Sequence, residues 1–371
     1  MDNRITKLNI FRPVILFTAI AIIIITVSIG MAFPFINPAH SSNNSASSGL
    51  DDGPKQPMGN GISVKNVSSV IVDNDNIKWF CTDAGIVSFD GKNWKLHDEN
   101  NNLPDQDLKS IIYVVNPEGP ELWIASPNGA TTVSLPIGNQ ADAITLTPEN
   151  SGILSKNVVS MAAGKNSIQW FGTDLGVSAV RGDNWLTPSY DLYYPEYIFE
   201  DYPITSMATN IEGDSLYVGT AGAGIARVYR DDVDGISGAS VYAEWGPILL
   251  PSDNIRSIFI APDGTKWFGT KRGIARHTGN ETLENWTIYN KKDGLIHNFV
   301  QAISGDKKGN IWFGTKAGIS VFNGSTWISY TTDNGLASNN ILSIATDNDG
   351  IVWIGTDVGI TCYEDNKFIN Y

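Results

Sequence analysis

The sequence predicts an all-β protein: a single seven-bladed β-propeller with four antiparallel strands per blade, preceded by one N-terminal transmembrane helix. Three observations predict it. One short motif returns seven times at blade-sized spacing, each repeat holds four short β-rich runs, and one uncharged stretch lies near the N-terminus.

The motif reads WFCT (79–82), WIAS (123–126), WFGT (170–173), YVGT (217–220), WFGT (267–270), WFGT (312–315) and WIGT (353–356). The steps are 44, 47, 47, 50, 45 and 41 residues, too long for leucine-rich or hexapeptide solenoids and right for propeller blades. Within a repeat, as in 341–371, four runs rich in β-branched and aromatic residues are separated by turn residues. Four strands in 40 to 50 residues make one blade. The Asp263-Gly264 and Asp349-Gly350 pairs before the Trp run predict two-residue hairpin turns. The Trp itself is expected to plug the space between adjacent blades.

Residues 14–35 carry no charge and follow Arg4, Lys7 and Arg12. That length spans a bilayer, and the basic flank places residues 1–13 in the cytoplasm. The competing reading is a signal peptide cleaved near Gly30 and Ala32. The rest of the chain is exported in both cases, as a single-pass ectodomain or as a secreted protein. Residues 36–61 are rich in Ser, Asn, Gly, Asp and Pro, which predicts a disordered tether before the propeller at 62–371.

Net charge is -14; the first 40 residues carry +2 and the remainder -16, so the exported part repels phosphate backbones and nucleic acid is not an expected partner. The two cysteines, Cys81 and Cys362, form no C-x-x-C pair. They read as equivalent positions in the first and last repeats, expected as buried free thiols, with a bridge between neighbouring blades left open.

The pattern GL, then V/I-x-S/A-I, D-x-x-G, W-x-G-T-x-x-G-I and W-x-x-Y, clearest at 294–330 and 335–371, resembles the two-component regulator propeller repeat. Ala125 with Ser126, and Tyr217, depart from it in repeats two and four. The resemblance covers about 62–371. It implies the extracytoplasmic propeller of a sensor, hence a non-enzymatic ligand-binding or sensory module. Its expected partners are a small-molecule or glycan ligand, or the ectodomain of a signalling partner. No kinase core, receiver or helix-turn-helix segment is found in the sequence, so any signal is expected to leave through another protein.

In a propeller, the connections into each first strand and between the second and third strands share one face, called here the upper face. The latter connections carry Asp83, Asp174, Lys271 with Arg272, Lys316 and Asp357. Blades five and six are thereby basic and blades seven, one and three acidic, a bipolar rim suited to orienting an anionic ligand. Solvated loop charges account for the same residues. The incoming connections add Asn157, Asn254, His297 with Asn298, and Asn340, whose amides suit hydroxyl-rich ligands or simply form turns. A long connection at 186–202 brings Tyr190, Tyr193, Tyr194 and Tyr197 toward that face, for recognition or for packing over the rim.

No cofactor or metal site is expected. The acidic run 231–235 lacks the terminal bidentate Glu of a calcium loop. His277, Glu284 and His297 fall within blades five and six. The chain resembles in architecture, though not in repeat text, the streptogramin lyases, propellers that use His and Glu with magnesium. Lyase chemistry on these three residues stands as the enzymatic alternative and a structural surface scaffold as a third reading. No G-x-S-x-G elbow, P-loop or H-E-x-x-H motif is present.

Overall fold

A computed structural model of the protein describes residues 58, 61–99, 102–104, 106–138, 142–164, 168–182, 184–186, 202–210, 213, 215–231, 235–242, 250–279 and 285–371. The chain divides into Met1–Leu50 and Asp51–Tyr371, and every one of these residues belongs to the second unit. The expected membrane segment 14–35 lies outside the described residues, among which no helix is long and apolar enough to cross a membrane.

Seven four-stranded antiparallel sheets are each built from consecutive strands, over 69–97, 110–146, 158–186, 204–242, 255–289, 300–330 and 341–370. The first strands of the blades touch one another in sequence, and the seventh touches the first. They therefore line a central channel and the ring closes at seven blades. The β-propeller fold holds for the described residues, whose helical conformation is confined to short 3-10 pieces such as Lys291–Asp293 and Thr332–Asn334.

Each residue of the repeated motif has its own physical role. The Trp rings fill the space between blades: Trp353 meets Phe80 of blade one at 5.8 Å, and Trp267 meets Phe313 of blade six at 5.4 Å. The indoles of Trp79, Trp312 and Trp353 donate to Asp73, Asp306 and Asp347 at 2.8, 3.0 and 2.9 Å. The small third residue admits the next blade. A Cβ on Gly314 would lie 2.5 Å from Ile341 Cγ2, and one on Gly219 would lie 2.6 Å from Ile255 Cγ2. The Thr locks the upper turn: Thr315 Oγ1 donates to Gly318 O at 2.8 Å and accepts from Ala317 N at 3.0 Å, as Thr356 does with Gly359 and Val358.

The turn on the opposite, lower face differs from the two-residue hairpin expected. Residues 348–350 form a three-residue loop, in which Gly350 N donates to Asp347 O at 3.1 Å and Asp347 N to Ile351 O at 2.9 Å. Asp347 Oδ1 takes the amides of Asp349 and Ile351, so the carboxylate templates a longer loop that ends on Gly350 at φ +87°.

The cysteines are both free and buried, but they are not equivalent. Cys81 lies on the second strand of blade one, Lys78–Thr82, whereas Cys362 lies on the third strand of blade seven, Ile360–Glu364, opposite Trp353. They belong to separate core clusters. Burial pushes both thiols up, Cys362 to about 12.

Ring closure uses side chains and a short lead rather than an exchanged strand. Val67 N donates to Thr356 O at 3.0 Å and Asn66 N to Asp357 O at 3.2 Å, while Ser343 Oγ donates to Val67 O at 2.8 Å. Met58, Val64, Val67, Phe80, Trp94, Trp353 and Cys362 share one apolar cluster across the join, with Tyr371 stacked on Trp353. Lys78 of blade one is buried there against Asp347 of blade seven.

Candidate functional site

The upper face is shaped by a bulge in the first strand. In blades three to seven the register slips by one residue there, which leaves Val159, Thr205, Arg256, Gln301 and Leu342 unpaired in the ladder. Two of these side chains reach the next blade: Thr205 Oγ1 donates to Ile255 O at 2.7 Å and Gln301 Nε2 to Ile341 O at 2.7 Å. The bulged residues thus ring the mouth of the channel.

Arg256 is the charged member of that ring. Its guanidinium carbon lies 5.8 Å from the ring centroid of Phe299, and Lys316 Nζ lies 4.4 Å from the same centroid. Two cations on one ring form a cation–π cluster at the boundary of blades five and six. Arg256 is exposed to solvent, yet the bulk around it lowers its pKa from the ordinary guanidinium value, the combination expected at the edge of a recess. A guanidinium stays protonated in proteins, so the charge is permanent.

The acidic and basic members of the expected rim behave differently. Asp83 accepts Lys65 N at 2.6 Å, Asp174 accepts Asn157 Nδ2 at 3.2 Å, and Asp357 accepts Asn340 Nδ2 at 3.2 Å. These carboxylates pin the incoming connections. The ammonium groups of Lys271 and Lys316 make no hydrogen bond or ion pair among the described residues, while the backbone of Arg272 is held by Thr270 Oγ1 at 3.0 Å. Each of these carboxylates thus holds a loop through one oxygen, and Lys271 and Lys316 are exposed to solvent.

Local sequence explains how the loops are set. Asn290 caps the 3-10 turn Lys291–Asp293, Gly294 closes it at φ +117°, and Asn298 Oδ1 accepts Lys291 N at 2.8 Å. Thr331, Gly335 and Asn339 repeat the arrangement one blade later, with Asn339 Oδ1 accepting Thr332 N at 2.9 Å. The asparagines expected as a ligand-facing amide ring are therefore largely committed to turns. His297 Nδ1 accepts Phe299 N at 3.0 Å, which leaves Nε2 as the free ring nitrogen.

Residues 294–317 and 335–358 match the two component regulator propeller family. Both segments begin at the capping glycine just described and run through the Trp strand into the upper turn. These two segments are two-component regulator propeller repeats. No curated protein matches the sequence. Among solved structures, the chain is similar to the extracellular domain assigned to a hybrid two component system of B. thetaiotaomicron. The TM-score is 0.65 at 22% identity, over 83% of this chain and 39% of that one. An extracellular domain assigned to a one component system of the same organism gives 0.62 at 19%, over 81% and 38%. This chain thus spans about two fifths of the length of those ectodomains. A streptogramin B lyase gives 0.59 at 17%, over 85% and 96%. At these identities the likeness is one of fold.

The regulator-repeat geometry separates the two histidines of the lyase alternative. His277 ends the third strand of blade five, Ile274–His277, on the lower side, buried at 1% exposure with its ring 4.7 Å from Trp286. His297 sits on the upper face, so the two do not meet across one substrate. Glu284, and Tyr190, Tyr193, Tyr194 and Tyr197 of the aromatic connection, lie outside the described residues. From that connection Tyr202 is described, an exposed ring resting over Gly222 of the upper turn in blade four. The acidic run 231–235 also falls largely outside the described residues, among which no group of His, Cys, Asp or Glu is placed to hold a metal ion.

Proposed function

We propose that this propeller is a non-enzymatic, extracytoplasmic binding module whose upper face takes an anionic ligand, with an acidic glycan as the ligand class. The observation that carries the reading is the charge asymmetry of that face. Arg256 and Lys316 converge on Phe299 and are exposed, while Asp83, Asp174 and Asp357 each give one carboxylate oxygen to an amide of an incoming connection. Phe299 offers a flat apolar surface of the kind on which a sugar ring stacks, and the two cations supply the partners for a carboxylate. Gln301 Oε1 and His297 Nε2 add hydrogen-bonding atoms nearby for hydroxyl groups, Gln301 Nε2 and Asn340 being held by each other, Ile341 O and Asp357. The uncharged segment 14–35 supports attachment to a membrane with the propeller outside, and the repeats support a sensory role. Any signalling partner is then reached through the ectodomain.

The test is thermal melting of the protein with oligogalacturonate and with a neutral oligosaccharide of equal length. A ligand at 100 times its Kd adds about 2.7 kcal/mol to the native state, a rise of several degrees. The rise should appear with the acidic sugar and vanish in the double variant R256A/K316A. No rise with any acidic sugar, or a rise that survives in the double variant, would overturn the reading.

A further inference from the structure

The geometry points to a second binding site, on the lower face between blades five and six, for a small flat apolar molecule that ends in a carboxylate. A cavity of 570 Å³ opens there, within the range of about 300–1,000 Å³ usual for small-molecule sites. Its walls follow from strand register. Phe259, Trp267 and Arg276 stand opposite one another across the first three strands of blade five, and Gly305, Ile311 and Phe322 do the same in blade six. At the position of Gly305, blades one, five and seven carry Val72, Ile260 and Thr346, so blade six alone of these four leaves the slot open.

Arg276 gives the cavity its specificity. The residue opposite the motif Trp is Ser88, Thr132, Ala179, Val321 or Cys362 in five other blades. Blade four has Arg227 there, and its guanidinium donates to Ser215 Oγ at 2.9 Å. Arg276 Nε is buried without a hydrogen-bond partner, as are Arg227 Nε and Arg181 Nε. Unlike that of Arg227, its guanidinium makes no hydrogen bond or ion pair through its other nitrogens among the described residues, and it lies 5.1 Å from the Trp267 ring centroid. A buried, unmet charged donor is costly, so a site that keeps one is shaped for an acceptor from outside.

The carboxylates lining the cavity do not supply that acceptor. Asp306 spends both oxygens on Lys308 N, Asn310 and the Trp312 indole. Asp347 is paired with Lys78, and Asp263 Oδ1 holds the amide of Thr265 at 2.9 Å. Phe259, Trp267, Ile311 and Phe322 provide an apolar bed next to the cation, which matches an arylcarboxylate: aromatic body against the walls, carboxylate across the guanidinium fork. This site is independent of the upper face and of the reading proposed for it.

Isothermal titration of the full chain with 2-naphthoate, and with uncharged 2-naphthylmethanol, tests the proposal. Naphthoate should bind at least about tenfold tighter than the alcohol, the worth of one charge-assisted pair. R276M should lose that advantage, R276K should keep part of it, and R256A/K316A should leave it unchanged. Absence of naphthoate binding, equal binding of the alcohol, or unchanged binding in R276M would each overturn it. If R276M fails to melt cooperatively, the comparison of acid with alcohol and the R276K titration decide alone.

Discussion

Lys78 Nζ lies 3.1 Å from Asp347 Oδ2 across the join between blades one and seven, with side chains 4% and 0% exposed. Burial raises the Asp347 pKa, but hydrogen bonds from the Trp353 indole, the Ile351 amide and Lys78 outweigh it and hold the carboxyl below its usual value. Asp347→Asn removes the charge and keeps the shape, stranding the ammonium of Lys78. The expected loss is about 3–5 kcal/mol in urea unfolding. The double variant K78M/D347N should recover part of it, because the methionine replaces the stranded ammonium, which sits 5.9 and 5.5 Å from the Phe89 and Trp353 ring centroids, with an apolar end. A double variant less stable than D347N alone would contradict this account of the pair.

His97 governs a different pH window. It is 2% exposed, bonded through Nε2 to Ser88 Oγ at 3.0 Å, and burial, helped by Lys95, lowers its pKa to about 4. Since the folded pKa is depressed, the unfolded chain binds more protons between the unperturbed value near 6.5 and about 4, and stability falls as pH drops through that range. At pH 4.5 the loss is about 2–3 kcal/mol relative to pH 7. His97→Gln should flatten this part of the urea-midpoint profile while leaving the steeper decline below pH 4, where Asp347 and other carboxylates protonate.

Gly314 is predicted to be intolerant of a single methyl group, because its Cβ would meet Ile341 of the next blade. Gly314→Ala should cost about 1–3 kcal/mol. Adding Ile341→Val does not remove the clashing Cγ2, whereas Ile341→Ala does, so in thermal melts the penalty of G314A should shrink in an I341A background.

Both thiols should be silent in the native state. Burial raises Cys81 and Cys362 well above the ordinary thiol value, so almost no thiolate exists at pH 8. Titration with a thiol-reactive disulfide should modify fewer than one equivalent in buffer and both residues in 8 M urea. Rapid native labelling would mean that the join or the neighbouring blade opens readily.

Sequence carried the ring count because the Trp, the small residue and the Thr each answer a packing demand that recurs at every blade boundary. It misjudged the lower turn because an Asp-Gly pair looks the same in a two-residue and a three-residue loop, and the Asp347 carboxylate decides between them from outside the pair. Arg256 escaped notice for a similar reason. By simple alternation a residue's side is fixed by parity, but the bulge breaks parity at this position. Its signal was present in the aligned copies, where Arg256 stands in the column of Val159, Thr205, Gln301 and Leu342. Asp174 and Asp357 follow the repeated Thr in the second-to-third connections, but their binding to Asn157 and Asn340 rests on contacts between connections that no single repeat encodes.

Because no strand is exchanged between blades seven and one, the propeller is a hoop with a single clasp, and the lead from the N-terminal side enters at that clasp through Asn66 and Val67. Tension drawn through the lead is delivered to the Thr356 and Asp357 carbonyls before it reaches any blade. The N-terminal lead is thereby the mechanical handle of ring closure.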